Sequence, residues 1–82
     1  MVVLCEVSYK LRLNQEVLAT DNSGVVIPGV IQGYMVRGGQ VLIIVAHDPK
    51  KVSLPDALMR LYRGGIWVLN YYPAEQVLPA IT

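Results

Sequence analysis

The sequence predicts a mainly β domain, a strongly curved antiparallel sheet carrying one short inserted helix. Three observations lead there: glycine and proline punctuate the chain at short intervals, β-branched and aromatic residues fill the stretches between them, and only one stretch has helical periodicity. With 82 residues the chain has room for one core, so residues 1–82 are read as a single domain.

Val2 to Leu13 is rich in Val, Leu and Tyr, and Lys10 and Arg12 alternate with Leu11 and Leu13, which predicts an extended segment. Gln15 to Thr20 predicts a second strand. Asp21-Asn22-Ser23-Gly24 follows with Asx and glycine turn chemistry. The strongest local signal is Gly38-Gly39 between two β-rich runs, Val30–Arg37 and Gln40–His47. Two glycines suit a two-residue hairpin turn, because its central positions need positive φ. The implied register pairs Val36 with Val41, Tyr34 with Ile43 and Gln32 with Val45 on one face. Met35 then meets Leu42, and Gly33 meets Ile44, on the other. Both faces are apolar, so one of them calls for a partner.

Ser53 is positioned to cap a helix that has Pro55 in its first turn and Asp56 three residues after the cap. Leu54, Leu58, Leu61 and Tyr62 share one helical face, and Gly64-Gly65 can end the helix after Arg63. Ile66 to Tyr72 predicts a strand with Trp67 in the core, Pro73 to Gln76 a single turn, and Val77-Leu78 a final short strand.

Gln15-Glu16-Val17-Leu18-Ala19, the Pro28-to-Ala46 hairpin and Tyr72-Pro73-Ala74-Glu75-Gln76-Val77-Leu78-Pro79 together resemble a small SH3-like barrel of the KOW, Tudor and SH3 kind. The resemblance spans roughly two-thirds of the chain and implies a small barrel fold. Two departures stand out. The segment from Ser53 to Arg63 is extra to a minimal barrel, and the ALYDY-like aromatic motif of proline-peptide-binding SH3 domains is missing.

Composition narrows the function classes. Hydrophobic residues make up 54% and charged residues 16%, against ~45–50% and ~25% in ordinary domains. A net charge of +1 gives no general attraction for nucleic acid or anionic membrane. One cysteine, Cys5, cannot form an internal disulfide, and the first residues have no basic start, so a cytoplasmic protein without a signal peptide or membrane span is expected. One Cys, one His and six carboxylates without ligand spacing point to no metal and no cofactor. A Cys5–His47 nucleophile is disfavoured, because Cys5 follows an apolar run and His47 ends a strand where it is expected to meet solvent.

The expectation is therefore a non-enzymatic protein-interaction module that forms a homo-oligomer or binds a partner protein through an apolar sheet face. Tyr34, Val36, Val41, Ile43, Tyr71 and Tyr72 are its candidate contacts. Tyr71 and Tyr72 adjoin on a strand and must point to opposite faces. The alternative is a nucleic-acid-binding barrel using Lys50, Lys51, Arg60 and Arg63 with a stacking tyrosine, although Asp48 and Asp56 dilute that basic stretch.

Overall fold

The computed structural model describes residues 11–62 and 64–80. The expected first strand from Val2, together with Cys5 and Arg63, lies wholly or mostly outside the described residues.

Among the described residues five strands form one antiparallel sheet: β1 (Glu16–Thr20), β2 (Val26–Arg37), β3 (Gln40–His47), β4 (Val68–Pro73) and β5 (Val77–Pro79), in the order β4-β3-β2-β1-β5. One short helix, α1 (Asp56–Met59), sits between β3 and β4, and a 3-10 turn (Ala74–Gln76) links β4 to β5. The mainly β reading is met.

β1 and β2 are joined by the expected Asx turn. Asp21 Oδ1 accepts hydrogen bonds from the Ser23 N–H, the Ser23 hydroxyl and the Val25 N–H at 2.8–2.9 Å, and Gly24 supplies a φ of +88°. The β2–β3 turn is also as expected, with φ of +58° at Gly38 and +78° at Gly39. Val36↔Val41, Met35↔Leu42, Tyr34↔Ile43 and Gly33↔Ile44 pair as the sequence implies.

The register then departs. A bulge between Ile31 and Gly33 brings Ile31, not Gln32, opposite Val45. The bulge leaves the polar Gln32 exposed and turns Ile31 into the core, where it is fully buried with Val45. The inward side of the sheet thus carries Val17, Ala19, Ile27, Ile31, Ile43, Val45, His47, Val68 and Tyr72, all buried, together with the half-buried Asn70 and the exposed Tyr34.

The core has two parts. Leu11, Val17, Ala19, Ile31, Ile43, Val45, Tyr72, Ala74 and Val77 form the first. In the second, Leu54 and Leu58 close over Ile27 and Val68, with Val52 and Tyr62 packed alongside. This is why the segment between β3 and β4 exists: it covers one end of the sheet. Its helix is a single turn, shorter than expected, and begins after Pro55, whose φ of −59° and ψ of 154° make it the N-cap without a side-chain cap bond. Ser53 therefore does not cap it. Leu61 falls beyond the helix and is exposed, so the predicted apolar face reduces to Leu54, Leu58 and Tyr62.

Trp67 also differs from expectation. It precedes β4 and is 40% exposed, because it shares the outward parity of Leu69 and Tyr71.

Candidate protein-interaction face

The outward side of the β2–β3–β4 sheet carries three consecutive cross-strand rows: Val30–Ala46–Leu69, Gly33–Ile44–Tyr71 and Met35–Leu42–Pro73. None of these nine positions bears a charge. Ala46 and Leu42 are buried among them, Val30, Met35 and Ile44 are half-buried, and Leu69 and Tyr71 are 48% and 45% exposed. The pleat explains the arrangement, since every second residue of each strand stands on this side. At its hairpin end the guanidinium of Arg37 lies 5.9 Å from the centre of the Tyr71 ring, a cation–π contact that holds the ring against the face.

At the opposite end the face runs into a cleft of about 240 Å³ lined by Val30, Ala46, Trp67, Glu16, Asp48 and Lys51, among others. Typical small-molecule pockets run from ~300 to ~1,000 Å³, so this cleft suits a side chain better than a cofactor. Its rim mixes two carboxylates and one lysine. A second cleft, also about 240 Å³, is bordered by Asp21, Asn22, Asn70 and Gln76. The hydrogen bonds that Asp21 accepts, from Val25 first and then Ser23, hold its carboxyl below the ordinary carboxylate value.

The sequence-derived candidates divide between surface and core. Tyr34, Val36 and Tyr71 are exposed and Val41 is half-buried, while Ile43 and Tyr72 are buried and take no part in a surface. Tyr71 and Tyr72 point to opposite sides as expected. Tyr34 reaches back to donate its hydroxyl proton to the Leu11 carbonyl. The candidate face is on the hairpin side that carries Met35, Leu42 and Ile44, the side opposite Ile43, and its exposed members, Leu69 and Tyr71, stand on β4. Sequence reasoning missed Leu69 and misplaced Trp67; their shared parity with Tyr71 was the available signal.

Lys50, Lys51 and Arg60 are exposed. Lys50 and Lys51 belong to a turn built on Asp48, whose Oδ1 accepts the Lys50 N–H at 3.0 Å and whose carbonyl accepts the Lys51 N–H at 3.0 Å. A carboxylate at the centre of that turn lowers its local positive charge.

His47 corrects the expectation of a solvated histidine, since it is fully buried. Its Nδ1 lies 2.8 Å from the Pro28 carbonyl and its Nε2 2.8 Å from the Tyr72 hydroxyl. A carbonyl can only accept, so Nδ1 carries the proton and the neutral ring's Nε2 accepts from Tyr72. Burial pushes the His47 pKa down, opposed by the Pro28 bond, and burial pushes the Tyr72 phenol up. The pair is edge-to-face, with ring centres 5.7 Å apart. His47 shares the parity of Ile43 and Val45, the sequence signal that places it inside. An uncharged pair of this kind braces β2, β3 and β4.

Among the described residues, no three His, Cys, Asp or Glu side chains converge as metal ligands, and no helix is long and apolar enough to cross a membrane. Comparison with protein families, characterised proteins and solved structures finds no match.

Proposed function

We propose that this chain is a small SH3-like barrel module that works by binding protein, a second copy or a partner, through the outward face of β2, β3 and β4. The barrel reading is supported by the strand order, in which β5 returns to pair with β1 through the 3-10 turn. The binding reading is carried by one observation: nine adjacent uncharged positions, flanked by the exposed Trp67. A contiguous apolar surface on a small domain is an association site when it exceeds a few hundred Å². Small domains are also short of buried surface, and association adds it.

The test pairs two neighbours on β3. Ile43→Lys places a charge in the core and is expected to unfold the chain; Ile44→Lys places it on the outward face and is expected to keep the native circular dichroism spectrum while abolishing association. Sedimentation velocity from micromolar to hundreds of micromolar reads the self-associating case. Retention of host proteins on the immobilised chain reads the other. A wild type that stays monomeric, and retains the same proteins as Ile44→Lys, would end this reading.

A further inference from the structure

β4 is an end strand of the sheet, with β3 as its one hydrogen-bonded strand neighbour among the described residues. Natural end strands are blunted by lysine, inward charges or extreme shortness, because a bare edge recruits other strands. The eight residues Ile66-Trp67-Val68-Leu69-Asn70-Tyr71-Tyr72-Pro73 contain no charge at all. Pro73, at the far end, is the one blunting residue.

The exposed side chains along this edge are also self-complementary. Trp67, Leu69 and Tyr71 stand on the outward side at 40%, 48% and 45% exposure. If a second β4 pairs antiparallel about Leu69, each Trp67 stands opposite Tyr71 of the other copy and the two Leu69 side chains meet at the centre. Aromatic cross-strand pairs flanking an aliphatic one are favourable on an antiparallel ladder. Every large exposed residue of the row then has an apolar partner, and a net charge of +1 per chain gives little repulsion between copies.

We propose that β4 is a homodimerisation edge, pairing with β4 of a second copy about Leu69 to make a continuous ten-stranded sheet. This rests on the interaction-module reading, and it names a second copy as the partner and the β4 edge bordering the outward face as the contact. The contact engages five residues per copy, from Trp67 to Tyr71, so its area falls at the low end of protein interfaces and the dimer is weak and concentration-dependent.

Single cysteines test the register, in a Cys5→Ser background under mild oxidation. Residues directly opposite on an antiparallel ladder have Cα atoms ~4.5–5.5 Å apart, within disulfide reach, whereas Asn70 stands opposite Val68 of the other copy and its two copies are about 8 Å apart. Leu69→Cys is expected to cross-link into covalent dimer at concentrations where the wild type sediments as dimer, and Asn70→Cys is not. Tyr71→Lys is expected to weaken the dimer at least about tenfold while leaving the monomer folded. Equal cross-linking of both cysteines, or none from Leu69→Cys, overturns edge pairing. If Ile44→Lys still releases monomer in that case, the face reading stands without it; a wild type monomeric at every concentration overturns edge pairing outright.

Discussion

Gly29 on β2 has no room for a side chain against β3, and replacing it with alanine is the sharpest test of the packing described above. A Cβ at this position would lie 2.4 Å from Val45 Cγ1, 2.8 Å from the Ala46 carbonyl oxygen and 2.9 Å from His47 Nδ1. The first contact is about 1 Å inside ordinary van der Waals distance, and the other two involve backbone and a hydrogen-bonded ring that cannot swing away freely. Overpacking of a core by one methyl costs about 1–3 kcal/mol. Displacing His47 from the Pro28 carbonyl adds about 1 kcal/mol for the weakened bond. Together, Gly29→Ala is expected to cost about 2–4 kcal/mol, a large part of the stability of a domain this small. Gly33 is the internal control. Its added Cβ would meet only Ile44 Cδ1, at 3.7 Å, and its φ is not positive, so Gly33→Ala is expected to be neutral or slightly stabilising. Urea unfolding followed by tryptophan fluorescence measures both. If the two variants agree within about 0.5 kcal/mol, the close approach of the strands and the buried histidine geometry are wrong.

His47 is the sole histidine, so stability changes in the weakly acidic range report on it. Its folded pKa lies below the ordinary 6.5 through burial; the unfolded chain therefore takes up the proton first. Stability is expected to be full above about pH 6.5, to fall as pH drops towards the folded value, and to flatten below it. Urea midpoints across that range check this, and His47→Gln should remove the dependence; a midpoint that rises on acidification contradicts a neutral buried ring. Lys50→Glu combined with Lys51→Glu is expected to change folding and self-association little, since both side chains are exposed on the Asp48 turn. Salt-sensitive binding to a nucleic acid that vanishes in this double variant would instead favour the nucleic-acid reading.

Local chemistry made much of the fold legible. Asp21-Asn22-Ser23-Gly24 and Gly38-Gly39 carry their turns in their own side chains or lack of them, and the near end of the hairpin register follows from the second turn. The bulge at Gln32 was not legible, because it is imposed by the need to bury Ile31 against Val45, a condition set by the rest of the core. Missing it obscured how the apolar residues divide between the core and the open side. The helix was overextended for a related reason: Leu54 and Leu58 satisfy both a long helix and a single turn preceded by extended chain, and only packing on Ile27 and Val68 separates these. Of the candidate face, Tyr71 follows from composition and alternation; Tyr34, Val36 and Val41 stand instead on the side of Ile43, and Leu69 and Trp67 share the parity of Tyr71.

The pairing of β5 with β1 has a kinetic meaning. Val17 meets Pro79 and Ala19 meets Val77 across about 60 residues of chain, whereas every other strand pair among the described residues joins neighbours in sequence. Closing so long a loop costs more chain entropy than closing the Gly38-Gly39 hairpin. The hairpin is thus the natural nucleus, and the three residues of β5 complete the sheet last. On a ribosome, β1 would wait with one side unmatched until β5 had emerged, and its interval of vulnerability to mispairing is set by synthesis rather than by folding.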